Sequence, residues 1–317
     1  DIIKNSPLQG AIDADALLPF CRTAQDKYLK NLLGTVLFDY LQAQITANTF
    51  SNLTGTVTIV FTLSGAVTSG RFSLDNFMLY GSCTRITRTA NASGNWNAPS
   101  TWDCTCIPAP TENVVIPSSF TVTNTTSITR NSGTTTTINS GGTLATGAFA
   151  YNNNGTTNVN GTFQIDTGGS VTGNNFVYGA ASTLALNTIV TVVNTDPYWP
   201  SSNSPNNVNV LSGGLTMNAA RTVAGVFQTA AGVTLNTILT LNGTCQINSG
   251  GYFDNGSPTY GSSSLLQYNS TGIYNRSLEW TSDIATIGTT PGYPNNVQIS
   301  NSTTFNYYRG SNTGPKG

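Results

Sequence analysis

The chain has 317 residues, a formal net charge of −1, only 8% charged residues and no histidine. Soluble domains ordinarily carry roughly 25% charged residues, and here Thr, Asn, Ser and Gly fill the space, which is typical of an all-β surface protein. The near-neutral charge offers no basic patch, so nucleic acid is not expected as a partner, because non-specific binding depends on attraction to phosphate.

Residues 1–83 are predicted to form a partial β-sandwich with one helix. Apolar residues recur at three- and four-residue spacing between Thr23 and Gln42, which predicts an amphipathic helix. From Gly55 the period changes to two, and the stretch VTIVF followed by Arg71–Leu79 predicts a hairpin. Two strands cannot bury a face by themselves, so the hairpin is read as the edge of a larger sandwich.

Residues 84–112 are predicted to be a junction or cap between two domains. Trp96 and Trp102 lie six residues apart in this segment, ahead of a turn-rich IPAP stretch. One interpretation is a sugar-stacking platform, because flat amphipathic rings stack on pyranose faces. The interpretation we favour is that both rings plug the open end of the array that follows, because repeat arrays need capped ends.

Residues 113–317 are predicted to be a tandem array with units starting near residues 113, 207 and 296. Asn113, Asn207 and Asn296 open similar strand patterns and are separated by 94 residues (113 to 207) and 89 residues (207 to 296). Inside the units, Val159–Gly169 (VNGTFQIDTGG) matches Leu241–Gly251 (LNGTCQINSGG). A unit of this length divides into four turns of about 20 residues plus an insertion, as in a solenoid of short strands.

This pattern predicts a right-handed parallel β-helix with Val, Ile, Leu and Phe inside and Asn and Thr in outward or corner ladders. The low charge fits such stacking, because repeated charges would lie about 4.8 Å apart and repel one another. A row of sandwiches or a propeller would be built from longer strands.

Several stretches together resemble the repeat modules of large secreted cell-surface proteins of Bacteroidota. They are GNWNAPSTW, IPAPTENVVIPSSFTVT, YGSSSLLQYN, SLEW and GYPNNVQISNSTTF, while LDNFMLYG resembles the last strand of the jelly-roll-like modules that precede such arrays. The resemblance implies a right-handed β-helix in an extracellular or cell-surface adhesin, filament or matrix protein exported by the type IX route. It implies no catalytic residues, and we expect the chain to be a segment of a longer protein.

An enzyme is not expected. Carbohydrate-cleaving chemistry needs clustered acids on one face, whereas the repeat register separates Asp166, Asp196 and Glu279 along the array. No cofactor is expected. A Ca²⁺ ion held by Asp75, Asp13 or Asp15 with backbone carbonyls is the alternative left open.

The cysteines predict one disulfide at the junction. We expect the C-x-C pair, Cys104 and Cys106, not to bridge to itself without strain, so that Cys83 pairs with one of them. An extracellular setting would favour such a bond.

The function that these features predict is a stiff, non-catalytic rod in a surface adhesin or filament. Its partners would be further repeats of the same chain or copies of itself, and no membrane-spanning segment is expected. The alternatives are a carbohydrate-binding module that contacts surface glycans and a self-assembling homopolymeric fibre. The aromatic insertions predict contact residues at Tyr198, Trp199, Tyr274 and Trp280.

Overall fold

The structure is a computed structural model that describes residues 85–281, 286 and 288–307. The predicted helix and partial sandwich of residues 1–83 therefore lie outside the described residues. The chain divides into two compact units, residues 1–84 and residues 85–317. The described part of the second unit is a parallel β-solenoid whose coils contribute strands to up to three faces.

The first face is a single continuous sheet of ten parallel strands. With strands numbered in chain order, and in their spatial order, these are β2 (Gly94–Asn95), β4 (Thr121–Thr123), β7 (Thr143–Ala145), β10 (Thr162–Asp166), β13 (Thr183–Asn187), β15 (Asn207–Ser212), β18 (Val226–Thr229), β21 (Thr244–Asn248), β24 (Leu265–Asn269) and β26 (Asn296–Ile299).

The second face is divided into three sheets. They are formed by β5 (Ile128–Arg130), β8 (Ala150–Asn153) and β11 (Ser170–Gly173); by β14 (Val190–Val192), β16 (Leu215–Met217), β19 (Gly232–Leu235) and β22 (Tyr252–Asp254); and by β25 (Ile273–Asn275) and β27 (Thr304–Asn306).

The third face is divided into two sheets. They are formed by β1 (Thr87–Thr89), β3 (Asn113–Ile116), β6 (Thr135–Ile138), β9 (Thr156–Val159) and β12 (Val177–Tyr178), and by β17 (Arg221–Val223), β20 (Leu239–Leu241) and β23 (Thr259–Tyr260). A 3₁₀ helix, Pro99–Thr101, lies between β2 and β3.

The strands form because their residues alternate between the core and the outside. In β10 the sequence TFQID buries its second and fourth residues and leaves the others partly exposed. Register pairing stacks equivalent inward residues of the first face into one fully buried ladder: Val122, Leu144, Phe163, Leu184, Val208, Phe227, Cys245 and Leu266. Burying such side chains contributes about 1.5–3 kcal/mol each. The parallel pairing of these alternating strands confirms the all-β solenoid that the sequence predicted.

The solenoid begins earlier than the predicted boundary at residue 113. Strand β1 pairs with β3 and strand β2 pairs with β4, so residues 87–95 already belong to the coils. Trp96 and Trp102 follow at once and are buried, with ring centroids 5.1 Å apart. The segment that carries these two buried rings is an integral part of the solenoid.

Two of the three predicted unit starts occupy equivalent positions in the solenoid. Asn207 and Asn296 open β15 and β26, which lie four strands apart on the first face. Asn113 instead opens β3 on the third face, so aligning it with Asn207 was wrong. The reason is that the polar-apolar strand pattern is common to all faces, and only strand pairing distinguishes them.

Candidate functional site: two insertions in the third face

Two insertions replace a strand of the third face, four coils apart. The first, residues 193–206, lies between β14 and β15. The second, residues 276–295, lies between β25 and β26 and is described in part. Because irregular segments on a regular scaffold are where binding groups concentrate, these insertions are the candidate functional site.

The first insertion turns its aromatic residues inward. Trp199 is completely buried and Tyr198 nearly so. The guanidinium of Arg221, itself buried, donates from Nε to the carbonyl oxygen of Trp199 at 2.7 Å and from Nη2 to that of Val193 at 2.9 Å. The aromatic rings of the insertion therefore fill the part of the core where the third face has no strand.

The second insertion keeps its tryptophan partly exposed. Trp280 is partly exposed, whereas Tyr274, in the strand β25 that precedes the insertion, is completely buried. The Trp280 ring stacks on Phe305 at a centroid distance of 6.0 Å, and the Arg276 guanidinium lies 5.6 Å from its centre.

The predicted contact residues are thus divided by burial. Tyr198, Trp199 and Tyr274 have no ring face open to a ligand in this structure, because they pack inside the solenoid. Trp280 alone among the four keeps a partly exposed ring. Aromatic residues in and beside the insertions suggested contacts. Tyr198 and Trp199 instead turn inward because the gap left by the missing strand is filled by large apolar groups. Tyr274 points inward because it is the central, buried residue of β25.

The acids considered for catalysis each have a different structural use. Asp166 accepts hydrogen bonds from the Gln164 and Asn187 amides at 2.7 and 3.0 Å. Asp196 accepts from the Val193 backbone at 2.7 Å and from the Tyr198 hydroxyl at 3.0 Å.

Glu279 is completely buried in the second insertion. Its Oε1 accepts from the Ser277 backbone at 2.8 Å and from the Tyr268 hydroxyl at 3.1 Å. Burial raises the pKa of this carboxyl above its usual value, and the hydrogen bonds oppose the shift without reversing it. A raised carboxyl pKa favours the neutral form, which is the form that a low-dielectric core accepts.

A groove of about 370 Å³ opens beside the first insertion. It is formed by the corner that follows β12, by the insertion and by β17, and every residue that lines it is uncharged: Tyr178, Gly179, Ala180, Ser201, Asn203, Ser204, Pro205, Asn206, Thr222 and Ala224. Its hydroxyl and amide groups offer both donors and acceptors, which suits a neutral, hydroxyl-rich molecule.

The disulfide prediction was wrong. Cys104 bonds to Cys106, with their Cα atoms 5.1 Å apart, inside the usual window of about 4.4–6.8 Å. Thr105 has a φ of 50°, so the chain reverses within the C-x-C segment instead of extending through it. Cys83 lies outside the described residues, and Cys245 is a buried free thiol.

No metal site and no membrane-spanning helix is found within the described part of the chain. No group of three or more Cys, Asp or Glu side chains there is placed to hold a metal ion. No helix there is long and apolar enough to cross a bilayer. The Ca²⁺ alternative at Asp13, Asp15 or Asp75 lies outside the described residues.

Comparison of the chain with protein-family models, with curated proteins and with solved structures found no match.

Proposed function

We propose that this chain is a structural segment of an extracellular cell-surface adhesin or filament and acts as a stiff repeat rod without catalysis. The observation that carries the proposal is the continuous ten-stranded parallel sheet of the first face. In such an array each coil contacts mainly its neighbours, so length scales with coil number. The resemblance to Bacteroidota surface modules and the type IX export route belong to the same proposal.

Two further observations support a rod at the cell surface. The Cys104–Cys106 disulfide is of a kind that persists in oxidising, extracellular settings. The three acids considered for catalysis are engaged by neighbouring donors, as Asp166, Asp196 and Glu279 each accept at least two hydrogen bonds.

Removal of one repeat unit tests the rod. Deleting residues 207–295 joins residue 206 to Asn296, which opens an equivalent strand, and removes four coils. Small-angle scattering of the full chain and of the deletion variant should show a maximum dimension shorter by about 19 Å at a step of about 4.8 Å per coil. An unchanged dimension in a folded variant would reject the rod.

Location is tested on the cells that produce the protein. Antibodies raised against the solenoid should label intact cells, and brief protease treatment of those cells should remove the label. Label found only after the cells are broken open would contradict the proposal.

A second candidate function is carbohydrate binding, which the uncharged groove beside the first insertion favours. Glycan-array binding that Asn203→Asp and Asn206→Asp remove, while thermal stability is kept, would support it. Trp280→Ala on the second insertion provides a separate test of the one partly exposed ring.

A further inference from the structure

We infer that the outer surface of the first face is a self-association surface that binds a second copy of this chain side by side. This inference deepens the proposed rod function, and it depends on that function only because it treats the solenoid as a structural element. It is carried by the continuity, charge, hydrogen-bonding groups and size of this surface.

The first face is the only one of the three that runs without interruption along the described coils. The second face is divided into three sheets and the third into two. A partner that lies along the rod therefore finds a regular surface on the first face, where equivalent side chains repeat at about 4.8 Å.

Charge is nearly absent from this surface. Within the described residues, Asp166 is the single charged side chain on the first-face strands, and it already accepts from Gln164, Asn187 and the backbone of Gly147. Fixed charges lie on the other faces, for example the Arg88–Glu112 ion pair at 2.6 Å on the third. Two copies can therefore face each other here without like-charge repulsion.

The outward groups of this face are self-complementary. Gln228, Gln246, Gln267 and Gln298 occupy equivalent outward positions in four successive strands. Each carboxamide has two donor hydrogens and an acceptor oxygen. The donors of one such ladder can therefore bind the acceptors of another, and the reverse. A second copy supplies such a ladder.

The ladder is also ordered before any partner arrives. Gln246 donates to Asn248 at 2.8 Å and Asn269 donates to the same oxygen at 2.9 Å. Side chains that are already held lose less freedom on association. The outward Val226 and Leu265, at equivalent positions two strands apart, add apolar contact between the polar rows.

A second copy fits this surface better than a glycan does. Among the described residues the aromatic rings on first-face strands, Phe163, Phe227 and Tyr268, are all buried, so the surface lacks the stacking ring that sugar faces prefer. Ten strands at about 4.8 Å and about four residues of 3.3 Å give on the order of 600 Å² per copy. That lies at the lower end of the roughly 600–1,000 Å² per partner of a standard interface.

The test is sedimentation velocity of the full chain over a range of concentrations. Gln228→Lys with Gln267→Lys places two charges two strands apart on the first face. The matched control, Thr191→Lys with Thr234→Lys, places the same two charges two strands apart on the second face. Circular dichroism and thermal melting confirm that both variants are folded.

The wild type and the control should form dimers or longer lateral assemblies, and the first-face variant should raise the dissociation constant by about tenfold or more. A wild type that stays monomeric at all concentrations would overturn the inference and leave the rod intact as a function. Equal weakening by both variants would also overturn it. Glycan binding by a monomeric wild type that only the first-face variant loses would assign the surface to a glycan instead.

Discussion

Tyr178 and Tyr260 occupy equivalent positions four coils apart and perform the same task. Each ends a third-face strand, and each donates its hydroxyl hydrogen to the carbonyl oxygen of the residue before an insertion tryptophan: Tyr178 to Tyr198, and Tyr260 to Glu279 at 2.8 Å. The two insertions are therefore held to the solenoid by one repeated contact, although they share little sequence around the tryptophan.

Removing this contact should destabilise the protein at either position. Tyr178→Phe or Tyr260→Phe leaves a buried carbonyl without its donor, which costs about 1–3 kcal/mol. Urea denaturation followed by tryptophan fluorescence measures the loss. Tyr252→Phe is the control, because Tyr252 lies on the second face and is partly exposed; its free energy of unfolding should change little. Equal losses in all three variants would count against a specific contact.

Trp199 should be a stability residue rather than a ligand contact. Trp199→Ala removes a completely buried ring, and such truncations cost about 3–5 kcal/mol. Trp280→Ala should cost less, because part of that ring is exposed. Thermal and urea denaturation of both variants provides the comparison, and a Trp199→Ala variant as stable as the wild type would refute the core role.

Glu279 should make stability depend on pH. Its folded pKa lies above the usual 4.5 because the carboxyl is buried, so the folded state binds the proton more tightly than the unfolded state does. The contribution of Glu279 to the free energy of unfolding is therefore fully present below pH 4.5 and is lost as the pH rises through the folded pKa.

In melting experiments from pH 4 upward, Glu279→Gln should show a flatter pH dependence than the wild type. Asp254→Asn removes an exposed carboxyl and serves as the charge-matched control. A Glu279→Gln variant that keeps the wild-type slope would show that another group is responsible.

The Cys104–Cys106 bond should contribute little to stability. A disulfide that closes a loop of three residues removes little freedom from the unfolded chain, about 1–2 kcal/mol in the loop-entropy relation. Cys104→Ser with Cys106→Ser should lose that amount in urea denaturation. A reductant should reproduce the loss in the wild type and have no effect on the variant, and non-reducing peptide mapping that joins Cys83 to either residue would contradict the pairing.

Much of the solenoid could be predicted from the sequence, because its determinants are local. Alternation in stretches such as TFQID and the 82-residue offset between Gly161 and Gly243 are visible without coordinates. Both glycines immediately precede first-face strands, β10 and β21, that lie four coils apart in the structure. The faces could not be assigned in the same way, since Asn113 and Asn207 open strands with one pattern on two different faces.

The sequence by itself determined the all-β class, the four-coil period and the low-charge surface, because each follows from side-chain alternation and composition within a few residues. Only the tertiary structure decided that Tyr198 and Trp199 point inward and that the first face alone stays continuous. Those outcomes depend on which strand is missing from a coil and on the volume it leaves to be filled. That volume is set by neighbours about 20 residues away along the chain and about 4.8 Å away in space.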